Sequence, residues 1–320
     1  LWLNETAVLG LLVALAVDAL VGEPSLKLHP VVWVGALTSR LKLVLNRGSR
    51  RSRRLKGVVL ALTVTTAFTL PAFILAGLQG LLNPLLYALL LGLALKPTFA
   101  LKSMELHVKP IALALESGNL EEARRRVSLI VRRNTLKLGE GHVASAAVET
   151  VAEGLVDGFT STLFLYALLG LSGAVFQRVV NTLDSMVGYK DLEHADIGWF
   201  SAKLDTALNY VPARLTALLM VAVAMLMRRG WREAMRALMA NRGKTESLNS
   251  GWPISAAAGV LNVKLEKVGY YAINEGLKLP EAVHVHEALR LMYVTAALFL
   301  LLVVLPLLLA VQPLGLLKAF

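Results

Sequence analysis

The chain has 320 residues, 56% of them hydrophobic, and a formal net charge of +11, with a mean hydropathy of +0.62. So apolar a composition excludes an ordinary soluble globule, and the absence of cysteine excludes disulfides, thiolate metal sites and cysteine nucleophiles. The basic residues stand in blocks beside apolar runs, where they set membrane topology; nucleic acid is not expected as a partner.

Crossing the hydrocarbon core takes about 20 mostly apolar residues. By that measure residues 6–22, 57–80, 82–101 and 291–314 are spans, and 160–180 and 211–227 are shorter or interrupted. The sequence therefore predicts an all-α, polytopic integral membrane protein with about four to six membrane-embedded helices in a single domain. The first apolar stretch has no basic n-region or small-residue cleavage site and reads as a retained span. Residues 24–56 carry "RGSRRSRRLK", which places that loop in the cytoplasm and the N-terminus outside. Residues 57–80 and 82–101 should form a hairpin that returns the polar segment 102–159 to the cytoplasm; the basic segment 228–290 belongs there too.

Within 102–159, "NLEEARRRVSLIVRR" sets Leu120, Ala123, Val127 and Ile130 on one helical face, with Asn119 as N-cap. Arg132 and Arg133 follow, and their guanidinium forks suit phosphate. Next, "AAVETVAEGLVDG" spaces Glu149, Glu153 and Asp157 at i, i+4 and i+8, so that three carboxylates share a face. A cation such as Mg²⁺ relieves such crowding; the alternative is a solvated face paired with arginines. At 170–173, "GLSG" should break the helix and return the chain, as in a re-entrant segment; a full crossing is the other option.

The run that follows packs Asn181, Thr182, Asp184, Ser185, Tyr189 and Lys190 into ten positions, and Asp205 and Asn209 stand one turn apart ahead of Arg214. Ionisable groups at membrane depth are costly and mark a site or pathway, or else serve as interhelical glue. His29 lies in a turn with Glu23 and Pro30, and His284 and His286 read as structural or solvated. "NRGKTES" is not a Walker A motif, because Leu238 stands where a glycine is required and no strand precedes it.

Taken in order, "DALVGEP…LHPVVWVG", "RRNT", "VETVAEGLVDG", "NTLDSMVGYKD", "NYVPARLTALL" and "NSGWPISAAAGVL" resemble the adenosylcobinamide-phosphate synthase family, CobD or CbiB, over about residues 18–260. The resemblance implies a membrane ligase that joins the carboxylate of adenosylcobyric acid, a corrinoid, to the amine of aminopropanol phosphate or a related amino-alcohol phosphate, using ATP and Mg²⁺. It implies that Glu149, Glu153 and Asp157 hold the metal and that Asp184, Asp205 and Lys190 are catalytic. His29, Arg132, Arg133, Asn181, Thr182, Ser185, Tyr189, Asn209 and Arg214 would bind substrate. A homo-oligomer or a complex with other corrinoid enzymes is the expected assembly in the bilayer. A corrinoid permease and a catalytically weakened scaffold, the latter suggested by Asn134, Gly154 and Thr206, are the alternatives.

Overall fold

A computed structural model describes residues 3–25 and 27–311. In chain order the helices are α1 (Leu3–Leu20), α2 (Pro30–Leu45), α3 (Arg50–Gly77), α4 (Pro84–Leu95), α5 (Leu101–Glu116), α6 (Leu120–Val127) and α7 (Glu140–Leu155). They continue as α8 (Ser161–Val187), α9 (Trp199–Leu208), α10 (Tyr210–Leu226), α11 (Trp231–Asn241), α12 (Gly251–Leu261), α13 (Ala282–Phe299) and α14 (Leu305–Val311). Two short strands, β1 (Leu265–Lys267) and β2 (Tyr271–Ile273), pair antiparallel. The all-α expectation holds. The chain divides into two compact units, one of residues up to 100, 161–208 and 301 onward, the other of 101–160 and 209–300.

Four helical stretches are long and apolar enough to cross a membrane: Arg50–Gly77, Pro84–Glu116, Glu140–Val187 and Ala282–Ala310. A fifth exists if the bent pair Trp199–Leu208 and Tyr210–Leu226 counts as one span. This fits a multi-pass membrane protein, and exposed Leu62, Leu70, Phe73 and Ile74 give α3 an apolar outer face. The boundaries differ from expectation. α1, Leu3–Leu20, falls on the first predicted span, residues 6–22. The helix expected over 82–101 ends at Leu95 in a 3₁₀ turn, Lys96–Thr98, and α5 begins at Leu101. Positions 312–314 of the last predicted span lie outside the described residues.

In the first unit α4 packs chiefly on α1 rather than forming the expected hairpin with α3. Glycine explains this. A Cβ on Gly92 would lie 2.7 Å from the Gly10 carbonyl oxygen, so the two helices meet at a glycine crossing that no other residue permits. α2, α3 and α8 close around Val34, Leu60, Val64, Val179, Leu183 and Ile197. Beside that core Asp196 accepts from Arg53 (2.7 Å), Arg50 and Arg54 (both 3.2 Å). Burial opposes ionisation of Asp196, but Arg53 and Arg50 outweigh it and hold the carboxyl below its ordinary range.

α8 is not a rod. Gly170 adopts φ 66°, ψ −156°, a conformation open to glycine almost alone. There the chain folds back: the Thr162 hydroxyl donates to Gln177 Oε1 at 2.7 Å, although 15 residues of straight helix would separate them by about 22 Å. The break expected at "GLSG" is thus a helical hairpin, with the two arms in contact.

In the second unit α5, α6 and α7 precede α10–α13. Asn119 caps α6 as predicted, its Oδ1 accepting from the Glu122 N–H, but α6 stops at Val127 and leaves Ile130 in the following turn. His284 completes a capping box with Glu281 at the start of α13, the structural role expected of it.

Candidate active site

The second unit contains a cavity of about 490 Å³ walled by the turn after α6, by α7, by the loop before α12 and by the β1–β2 hairpin. Arg132, Arg133, Glu149 and Glu153, separated by up to 21 positions in sequence, all line it. α7 carries the two carboxylates because Ala144, Ala147, Val148, Val151 and Ala152 fill its other faces, fully buried.

Glu149 is the fixed point of the cluster. Its carboxylate accepts from Ser145 Oγ (2.7 Å), Tyr271 Oη (2.7 Å) and Arg133 Nη2 (3.2 Å). Ser145 Oγ in turn accepts from the Glu266 N–H at 2.8 Å and so ties α7 to β1. Burial pushes the Tyr271 hydroxyl up, the neighbouring Glu149 carboxylate adds to this, and the phenol stays a donor. Glu153 is different. It is exposed, lines the cavity and accepts from the Ser250 hydroxyl, with the Glu149 carboxylate and the cations Lys267 and Arg133 as its charged neighbours.

Among the described residues no three His, Asp or Glu side chains gather as a metal-binding group. The expected triad of Glu149, Glu153 and Asp157 is therefore corrected. A π-helical turn, Val156–Thr160, follows α7 and shifts the phase of Asp157, whose Oδ1 accepts from Asn209 Nδ2 at 3.2 Å. With Glu149 spent on three donors, Glu153 is the carboxylate left to meet a hard cation, and one carboxylate plus substrate phosphate is an ordinary Mg²⁺ arrangement.

Arg214 donates to Asn249 Oδ1 (3.2 Å) and lies over the Tyr210 ring at 3.4 Å and the Trp252 ring at 4.9 Å. It is clamped by aromatic faces, and it is not among the walls of this cavity.

The remaining predicted residues belong to the first unit. Asn181 Nδ2 donates to Asp205 Oδ1 at 3.3 Å, which joins α8 to α9. Asp184 lies one turn on, Thr182 and Ser185 return their hydroxyls to backbone carbonyls of α8, and Tyr189 does likewise. Lys190 is exposed just past the end of α8. His29 caps α2, accepting at Nδ1 from the Val31 N–H (3.2 Å), and its Nε2 pairs with Glu23 (2.9 Å). Both ring nitrogens are engaged within the protein.

Sequence reasoning missed Thr245, Ser247, Ser250, Lys267, Tyr270 and Tyr271, all of which line the cavity. Thr245 belongs to the rejected Gly-Lys-Thr, and Ser247 and Ser250 follow it; the loop is no P-loop, yet its hydroxyls reach the site. A family model described as CobD/Cbib protein matches residues 11–311. The chain belongs to this family.

Among CobD/Cbib relatives, the probable cobalamin biosynthesis protein CobD of Methanothermobacter thermautotrophicus is 40% identical over 313 residues, covering 94% of this chain and 100% of the relative. That of Thermococcus kodakarensis is 40% identical over 310 residues, covering 96% and 98%. The cobalamin biosynthesis protein CobD of Dehalococcoides mccartyi is 34% identical over 275 residues, covering 85% and 89%. No solved structure matches the chain.

Next to Lys267 of the CobD/Cbib cavity, Glu266 pairs with Lys264 (2.9 Å) and His142 (3.1 Å), and hydrogen bonds from Lys264 and then His142 hold its carboxyl below the usual 4.5. A lowered carboxyl contributes stability above its unfolded value and loses it as pH falls through the folded one. Glu266→Gln should therefore flatten the acid limb of stability below pH ~4.5, read as thermal unfolding midpoints between pH 3 and 7.

Proposed function

We propose that this chain is a cobalamin-pathway ligase that forms an amide between adenosylcobyric acid and an amino-alcohol phosphate, with ATP. The observation that carries this reading is the cavity of the second unit, where Arg132, Arg133 and Lys267 meet one held carboxylate, Glu149, and one open carboxylate, Glu153. Cations beside an open acid suit a nucleotide and its metal better than they suit an apolar cargo.

A carboxylate and an ammonium do not condense at neutral pH. The corrinoid carboxylate must take the terminal phosphoryl group, releasing ADP; the amine nitrogen then displaces phosphate, and the ammonium proton passes to a protein carboxylate. Mg²⁺ on the nucleotide would spread the phosphate charge. Arg132, Arg133 and Lys267 would hold the phosphates, and Arg133 can do so without reorientation because Glu149 and the Glu266 carbonyl already fix its plane. Asp184 and Asp205 are the candidate proton acceptors.

Purified full-length protein given ATP, adenosylcobyric acid and aminopropanol phosphate should yield one amide and one ADP per turnover; no amide under these conditions overturns the proposal. Glu153→Gln should lower kcat by roughly 10²–10³ with the unfolding midpoint unchanged. Asp184→Ala and Asp205→Ala should each stop turnover if that side chain takes the proton; the one that leaves ligation intact is removed from the mechanism. The helical hairpin at Gly170 favours a second reading, a corrinoid permease, since broken helices line transport sites. Vesicle uptake of labelled corrinoid without ATP consumption would decide for it.

A further inference from the structure

Arg133 borders more than one space. A second cavity of about 740 Å³ in the same unit shares Arg133 with the first and is otherwise walled by different residues, among them Asn119, Arg124, Arg125, Ser128 and Asn134. Two acids, Glu121 and Glu122, also line it, and the second is committed. Glu122 accepts from Arg125 and Arg126, both at 2.6 Å, and those two hydrogen bonds hold its carboxyl at about 2.

Of its three arginines, Arg125 is held by Glu122, and the other two keep donors to spare. Arg124 donates Nε to the Leu138 carbonyl at 2.7 Å and makes no ion pair among the described residues. Arg133 donates to Glu149 and to the Glu266 carbonyl, which uses two of the five N–H donors of a guanidinium. Two arginines with donors to spare, on one concave wall, match the three acceptor oxygens of a phosphate.

We propose that this second cavity binds a phosphate monoester through Arg124 and Arg133, so that the single Arg133 guanidinium stands between two anionic ligands. This rests on the ligase reading, in which two reactants carry phosphate. Placing the nucleotide and the amino-alcohol phosphate in separate cavities with a shared cation lowers their mutual repulsion, which a single pocket would maximise. The monoester assigned here is the amino-alcohol phosphate.

Equilibrium binding of aminopropanol phosphate and of ATP, each alone, to the purified full chain tests the assignment without requiring turnover. Arg124→Gln should weaken aminopropanol phosphate about tenfold or more and leave ATP within about twofold; Lys267→Gln should do the reverse. Arg133→Gln should weaken both. Equal effects of Arg124→Gln on the two ligands, or none on aminopropanol phosphate, overturn the second site. If Arg124→Gln fails to fold, Ser128→Asp carries the test: it adds an anion to the same wall, so aminopropanol phosphate must bind more weakly with ATP unchanged, and unchanged monoester binding overturns the proposal. The crossed pattern without any amide product would keep the site and sink the ligase reading, whereas amide formation with uncrossed variants would do the opposite.

Discussion

Arg133→Met is expected to lower stability by about 3–5 kcal/mol and to abolish amide formation. The reason is Glu149, which is 5% exposed and would keep two hydroxyl donors but lose its countercharge. A carboxylate stranded in a buried site costs more than the lost pair itself contributed. Adding Glu149→Gln to Arg133→Met removes the stranded charge, so the double variant should regain most of the stability in thermal unfolding while the ligase assay stays silent. That split separates the two roles of Arg133, as counter-ion to Glu149 and as a phosphate donor. Recovery of both stability and ligation in the double variant would show that Arg133 never touched substrate.

Gly173→Val is expected to unfold the first unit's helical hairpin. A Cβ there would lie 2.4 Å from the Leu165 carbonyl oxygen and 2.7 Å from Leu169 Cβ, and neither backbone nor Cβ can swing aside. Gly170→Ala meets a different obstacle, since φ 66°, ψ −156° strains any residue with a side chain by about 1–3 kcal/mol. The natural chain has no cysteine, so single cysteines can be placed at 162 and 177 without background. A short thiol cross-linker should join them in the parent and fail to do so in Gly173→Val. Equal cross-linking in both would mean that the hairpin tolerates the larger residue.

Much of the site was legible because helical spacing is local. Glu149 and Glu153 at i and i+4 had to share a face, and the arginines of "VRRNT" stood in the loop ahead of the same helix. Asp157 was misplaced for a reason that spacing cannot reveal: the π turn at Val156–Thr160 inserts a residue into the phase, and five unremarkable residues do not announce it. Lys267 and Tyr271 escaped because they ride on a hairpin of three-residue strands, too short for any alternation of apolar and polar residues to show. The turn that holds His29 was legible, but its Nε2 contact with Glu23, six positions back, was not.

Composition and the length of apolar runs by themselves determined that this protein is helical and membrane-embedded, since unsatisfied backbone in lipid leaves few other choices. Glycine content at 170–173 likewise determined where α8 breaks, because conformational freedom belongs to the residue. Which helices meet was decided only by the tertiary structure. α4 leaves α3, its neighbour in sequence, for α1 because Gly10 and Gly92 allow a closer approach there. Glu149 becomes an anchor and Glu153 an open acid through partners 16 and 122 positions from Glu149, Arg133 and Tyr271. A side chain's type is written locally, but its role is set by whatever long-range packing brings within about 3 Å of it.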